Sequence, residues 1–199
     1  ADRGVDYLFA NFLSESANQR EDKYGGSTLD ERMTLLYEVV DVIREALGPA
    51  LMFGVRMYDD HEDYSLQLDD YKKVAVNLEK HGKVDYFNMW QGLVLSPRSG
   101  RTHWPAHYYP PGAFAHLPAG IKSVVSLPVV GTGRLDSPGI AEKFIAEGTA
   151  DMVGMARALI ADPHFPNKAR EGRTSDIRTC IGCTQSCVGH FSLGLGVGC

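Results

Sequence analysis

The sequence predicts an α/β protein built on parallel strands, either a doubly wound sheet or a segment of an eight-unit (β/α)8 barrel. Three observations carry this. Short β-rich runs alternate with helical patterns from Leu51 to Met155, capping and turn residues stand at the junctions, and 44% hydrophobic with 23% charged residues is enough apolar content for a sizeable core.

The first helix follows the turn-rich Tyr24-Gly25-Gly26-Ser27. Leu29, Met33, Leu36, Val40, Ile43 and Leu47 recur at steps of three and four, Thr28 and Glu31 have capping-box spacing, and Gly48-Pro49 supplies the stop. A strand is expected from Leu51 to Met57, then a helix carrying Leu68, Tyr71, Ala75 and Leu78 that stops at Gly82. A second strand is expected from Val84 to Trp90. An aromatic, Pro-rich insertion leads to a helix near Ala113 to Val125. Then come a strand at Pro128 to Gly131, a helix from Ser137 to Glu147 started by Ser137-Pro138 and stopped by Gly148, and a strand at Asp151 to Met155. A half-barrel leaves two sheet edges and much apolar interior exposed, so on the barrel reading the natural chain is expected to be longer. The start at Ala1 without an initiator Met and the stop on Cys199 agree with that expectation.

A formal net charge of -5 and a pI near 5.8 offer no cationic face for a phosphate backbone, which argues against nucleic acid as a partner. No apolar run approaches the roughly 20 residues that cross a bilayer, and the N-terminus lacks the order of a signal peptide. A cytoplasmic protein with no membrane contact is expected.

All four cysteines fall in the last tenth of the chain, with the spacing C-x2-C-x3-C-x11-C: Cys180, Cys183, Cys187 and Cys199. Such clustering points to a metal site rather than a disulfide framework. Three thiolates on a tight, Gly-containing loop with a distant fourth suit a [4Fe–4S] cluster. The alternative is a structural zinc site, and with it a zinc-stabilised interaction module without redox chemistry, although zinc sites usually pair two C-x2-C knuckles.

Two consecutive strand ends carry a glycine and an arginine, in Val129-Val130-Gly131-Thr132-Gly133-Arg134 and in Gly154-Met155-Ala156-Arg157. In a barrel the last two βα loops commonly bind phosphate through backbone N–H groups, and an arginine adds a bidentate fork. Glycines at a strand end also simply make turns. Arg56 ends the first strand and points to the same C-terminal face, or else forms a surface ion pair. Tyr86, Phe87, Trp90, Trp104, Tyr108 and Tyr109, with His103 and His107, form an aromatic stretch that suits either a cation-binding surface or a packed lid.

These motifs, together with Asn18-Gln-Arg20-Glu-Asp22-Lys-Tyr24-Gly25-Gly26-Ser27 and Gly54-Val55-Arg56, resemble the Old Yellow Enzyme flavoprotein family in the same order over nearly the whole chain. The Cys180-Ile-Gly-Cys183 motif resembles its iron–sulfur branch, which includes 2,4-dienoyl-CoA reductases, trimethylamine dehydrogenase and N-demethylases. The resemblance implies the later half of an FMN-binding TIM barrel in residues 1–175, and a [4Fe–4S] segment in residues 176–199. It further implies that Arg56 contacts the flavin ring, that Gly133, Arg134, Ala156 and Arg157 hold the FMN phosphate, and that Gly131 is also cofactor-binding. Tyr7 is the implied proton donor, a phenol protonated at neutral pH, although Asp2 and Val5 stand where the family has a His/His or His/Asn pair. FAD and NAD(P)H would bind through a domain outside this chain. Expected partners are a small-molecule substrate and an electron donor or acceptor protein or domain, with homo-oligomerisation left open. On substrate, the aromatic stretch favours oxidative N-demethylation of a small methylated amine at Trp90 and Trp104. The alternative is NAD(P)H-dependent reduction of an activated C=C bond, as in an enoate or a 2,4-dienoyl-CoA.

Overall fold

The computed structural model describes residues 8–59, 66–92 and 97–199. Four strands form one all-parallel sheet: β1 (Gly54–Asp59), β2 (Tyr86–Gln91), β3 (Val129–Gly131) and β4 (Met152–Val153). The spatial order β1-β2-β3-β4 is the chain order. A doubly wound sheet reverses its order at a switch point, whereas a barrel adds each strand beside the last. The unbroken order therefore decides between the two architectures in favour of a barrel segment.

Helices cover the strands from one side. They are α1 (Leu8–Leu13), α2 (Leu29–Arg32), α3 (Thr34–Leu47), α4 (Leu68–His81), α5 (Pro97–His103), α6 (His116–Lys122), α7 (Pro138–Ala146), α8 (Arg157–Ala161), α9 (Phe165–Arg170) and α10 (His190–Ser192). The predicted helix from Leu29 to Leu47 is present but divided at Met33, where one amide bonds back to both Leu29 and Asp30 carbonyls and tightens the turn. Its start is a true capping box. The Glu31 amide donates to Thr28 Oγ1 at 3.3 Å, and the Thr28 amide donates to Glu31 Oε2 at 2.9 Å. Gly48 at φ +66 ends it.

The core lies between sheet and helices, where Phe87, Met89, Val129, Leu78, Ala75, Met33 and Ile121 are completely or almost completely buried. Phe87 therefore belongs to packing rather than to an aromatic lid. Tyr86 is also a packing residue: its ring lies over Gly54, where any Cβ would sit about 2.3 Å from it.

The motif Asn18 to Ser27 is a clamp between helices. Asn18 Nδ2 donates to the Phe12 carbonyl at 2.6 Å and the Tyr24 carbonyl at 2.8 Å, while buried Arg32 donates to Leu13 and Gly26 carbonyls. One side chain at each end thus closes a loop that has no ladder of its own.

The first strand starts three residues later than expected. Leu51 and Met52 are apolar yet 56% and 69% exposed, and only from Gly54 does the chain pair with β2. The anchor is Asp85, whose carboxylate accepts from the Phe53 amide at 2.6 Å and from Arg44 at 2.6 Å. Helix α5 was not expected inside the Pro-rich insertion, and α6 is shorter than the predicted Ala113 to Val125 because turns occupy its first residues.

Candidate functional site

The C-terminal ends of β2, β3 and β4 and the loops after them enclose a cavity of about 210 Å3. Its wall includes Gly133 and Arg134 from the loop after β3, Gly154, Ala156 and Arg157 from the loop after β4, Trp90 and Trp104, and Cys187 from the C-terminal segment. Residues predicted to hold phosphate, aromatic residues predicted to meet substrate and a predicted cluster ligand therefore share one space. The volume is below the roughly 300–1,000 Å3 of a whole small-molecule site, so it suits part of a larger cofactor.

The loop after β3 is set by two features of its own sequence. Thr132 Oγ1 donates to the Met89 carbonyl at 2.7 Å and pins the strand end to β2, and Gly133 then turns at φ +113. A side chain there would be strained and would press on Phe114 at 3.2 Å. Gly154 is equally constrained, since a Cβ would lie 2.8 Å from the Thr132 methyl. Gly131 does not belong with them. It lies in β3, where a Cβ would meet Ala150, Phe144 and Pro118, and it is not among the residues that line this cavity.

The arginines differ in what they still offer. Among the described residues Arg157 Nη1 is buried with no hydrogen-bond partner and no ion pair, an orphaned donor on the cavity wall, and Arg134 Nε is likewise buried without a hydrogen bond. Burying such a donor unpaired is unfavourable by about 1–3 kcal/mol, more for a charged group, so the site suits an anion. Arg134 lines the same wall, but its Nη1 donates to the Ala106 carbonyl at 3.3 Å and the His107 carbonyl at 2.7 Å, and its Nε faces the Asp136 carboxylate at 3.4 Å. Asp136 was not anticipated from sequence, because its partner is defined only once the loop folds back. With two glycines and an unpaired guanidinium N–H, the residues present fit a phosphate group.

Arg56 is placed elsewhere. It lines a neighbouring, mostly apolar space of about 490 Å3 with Val55, Met57, Tyr58 and Tyr71, and Trp90 and His103 form the wall shared by the two. Its guanidinium carbon lies 4.1 Å from the centre of the Trp90 ring. One face of Trp90, expected as part of a cation-binding surface, therefore already carries a cation of the chain itself. The edge of Trp90 is also engaged, its Nε1–H donating to His103 Nδ1 at 3.0 Å. The same nitrogen lies 2.8 Å from the Gly92 carbonyl, so a given tautomer satisfies one contact or the other. Burial, with a smaller contribution from the Arg56 charge, lowers the His103 pKa against the raising effect of the Gly92 carbonyl, which favours the neutral ring.

Trp104 stands between the insertion and the C-terminal segment, edge-on to both His103 at 4.9 Å and Phe191 at 6.0 Å. Tyr108 is 60% exposed and packs on Tyr109, outside the cavity wall. Tyr7, Asp2 and Val5 lie outside the described residues.

The four cysteines are free thiols, Cys180 and Cys187 half-buried, Cys183 and Cys199 exposed. Their backbone is wound by left-handed residues at Gly182 (φ +67) and Thr184 (φ +59) and by the π-helical turn Gln185–Gly189. The sulfurs do not converge as expected: among the described residues no three His, Cys, Asp or Glu side chains form a metal-ion ligand group. Thiols have no mutual attraction to gather them, and backbone turns alone do not fix their sulfurs. The donor set, four soft thiols, fits an iron–sulfur cluster in chemistry and count, as it does zinc.

Fold and site together define a barrel segment with a cavity suited to an anion at its C-terminal rim. The match to known proteins is direct: residues 4–176 fit the NADH:flavin oxidoreductase / NADH oxidase family, and the chain belongs to it. It is 41% identical over 185 residues to a metal reductase of Desulforamulus reducens, covering 92% of this chain and 27% of that protein. It is 36% identical over 195 residues to an N,N-dimethylglycine/sarcosine dehydrogenase of Chromohalobacter salexigens, covering 97% of this chain and 28% of that protein. In structure it resembles a 2-naphthoyl-CoA reductase solved with 2-naphthoyl-CoA, with a TM-score of 0.84 at 33% identity over 98% of this chain and 29% of that one. The chain thus spans just over a quarter of these relatives' length. Among the described residues no helix is long and apolar enough to cross a membrane.

Proposed function

We propose that the protein containing this chain is an FMN- and [4Fe–4S]-dependent oxidoreductase, with the FMN-binding barrel portion in residues 1–175 and the cluster segment in 176–199. The observation that supports this best is the cavity that brings Arg157 and its orphaned donor together with Trp90, Trp104 and Cys187. Bound FMN supplies two-electron hydride chemistry, and a cluster supplies single electrons. This chain's own residues have simpler tasks. Arg157, Gly133 and Ala156 receive the phosphate, Arg56 and Trp90 offer charge and an aromatic face near the ring, Cys180, Cys183, Cys187 and Cys199 ligate iron, and Tyr7 holds a transferable proton.

For the substrate, Arg56 over Trp90 favours a neutral or anionic electron acceptor, such as an activated C=C bond reduced by hydride and a proton, because a second cation at that ring would be repelled. Oxidation of a small methylated amine is the second reading. Trp104 supports it, since that ring lines the cavity and, among the described residues, carries no cation on its face, as does the likeness to an N,N-dimethylglycine/sarcosine dehydrogenase. FAD and NAD(P)H would enter through parts of the protein outside this chain.

The test uses the full-length protein purified without oxygen. About four irons and one FMN per chain are expected, and Cys183→Ser should abolish the broad visible absorbance, whereas stoichiometric zinc without iron would overturn the cluster assignment. Arg157→Ala should weaken FMN binding by about 1.5–3 kcal/mol, roughly 10- to 150-fold in Kd. Oxidised enzyme mixed with dimethylglycine or trimethylamine, and reduced enzyme mixed with an enone or dienoyl thioester, then separate the substrate readings. Flavin bleaching by the amines alone would reverse the order given above.

A further inference from the structure

Arg134 shares the cavity wall with Arg157, but its Nη1 is engaged with the chain. Its Nη1 reaches both the Ala106 and the His107 carbonyl oxygens. On the far side of the same peptide, the His107 amide donates to the Gly182 carbonyl at 3.0 Å. The Ala106 carbonyl and the His107 N–H belong to one planar trans unit, so the guanidinium and Gly182 grip opposite edges of a single rigid plate. Each bond also polarises the other through that peptide. The grip is close: Gly182 turns at φ +67, and a Cβ there would lie 2.9 Å from the His107 nitrogen. Gly182 is also the only buried residue from 171 to 199, and it directly precedes Cys183. Arg134 is itself held in a left-handed turn at φ +51, with its carbonyl accepting from the Gly112 amide at 3.1 Å.

We propose that Arg134 is a positioning residue for the cysteine loop, joining it through the 106–107 peptide to the rim that receives the cofactor phosphate. The inference rests on reading that rim as a phosphate site, and it divides the two arginines: Arg157 meets the phosphate and Arg134 holds Gly182 and its neighbours in place. Order in one loop is then coupled to order in the other, reciprocally, as any two linked equilibria must be.

Hydrogen exchange on the full-length protein tests this. Arg134→Gln should speed amide exchange in residues 180–189 by about tenfold or more, from the loss of a charge-assisted bond to the plate, and should hasten alkylation of Cys183. Arg134→Lys should restore part of the protection. Arg157→Gln should weaken FMN retention and leave exchange in 180–189 at the wild-type rate. Unchanged exchange in Arg134→Gln, or an equal rise in Arg157→Gln, would overturn the proposal. Should Arg134→Gln not fold, Gly182→Ala reads the same link from its other end. It should speed exchange at 106–107 while β1 and β2 keep their protection, and unchanged exchange there would equally overturn the proposal. Exchange is read whether or not FMN is retained, so a wild-type protein that never binds FMN sinks the functional reading and leaves this one to be decided by its own measurement.

Discussion

Residues 8–170 and residues 171–199 are held together by different physics. In the first region, side chains such as Phe87, Met89, Ala75 and Leu78 are fully buried, and α4, α6 and α7 pack on the strands. In the second, Ile181, Phe191, Leu193, Leu195 and Val197 are all more than half exposed, and the one buried residue is a glycine. Apolar burial stabilises the barrel portion broadly, at about 25 cal/mol per Å2. The C-terminal segment is instead fixed at points: the Gly182 contact, the Trp104–Phe191 edge, the Gly198 amide on the Ser186 carbonyl, and Asp162. The almost fully buried Asp162 carboxylate accepts from Lys168 Nζ at 2.6 Å and from the Arg178 amide at 3.0 Å, two residues before Cys180. A region of this second kind takes its shape from what it touches, which accords with the cluster segment proposed above.

The contrast breaks most easily at Phe87. Phe87→Ala should destabilise the chain by about 3–5 kcal/mol and lower Tm sharply in a circular-dichroism melt, whereas Phe191→Ala should stay within about 0.5 kcal/mol. Equal losses would erase the distinction. A smaller effect is expected at the start of α7, where Ser137 Oγ accepts from the Ile140 amide at 3.4 Å. Ser137→Ala should cost about 0.5–2 kcal/mol in denaturant unfolding. The Asp162 anchor should show itself through pH. Bonding to Lys168 and to the Arg178 amide lowers its pKa from 3.8 to about 2, so its contribution is complete above about pH 4 and is lost as pH falls toward 2. Asp162→Asn should therefore loosen the Arg178 to Cys180 amides at neutral pH and flatten their response to acid, measured by hydrogen exchange. A persistent acid response in the variant would point to another carboxylate. Least of all should happen at the exposed Arg173–Glu171 pair, where Arg173→Ala should melt with the wild type.

The sequence disclosed most where the signal is local. The Thr28 and Glu31 box, the Ser137-Pro138 start and the Gly48, Gly82 and Gly148 stops each act within four residues, and each was found where expected. The two glycine–arginine loops were legible as a candidate phosphate rim, and one cavity brings those loops together. What escaped was non-local. Arg56 meets Trp90 only because β1 and β2 pair in a register that sets Arg56 beside Asn88. Arg134 reaches a carbonyl 27 residues back along the chain, and no spacing rule foretells that. Gly131 looked like its neighbour Gly133, but one makes room for Phe144 while the other makes a turn. Leu51 and Met52 misled because apolar character alone does not say where a ladder begins.

The consecutive strand order also sets a timetable. During synthesis β2 finds β1 already made, β3 finds β2, and β4 completes the row. Residues 154–179 then take about one to five seconds to emerge, at roughly 5–20 residues per second, while a helix forms within about a microsecond. Cys180 therefore leaves the ribosome facing a rim whose strands have already had time to pair. Strand β1 is thus the template that every later strand follows, and the cysteine segment is the last of these elements to arrive.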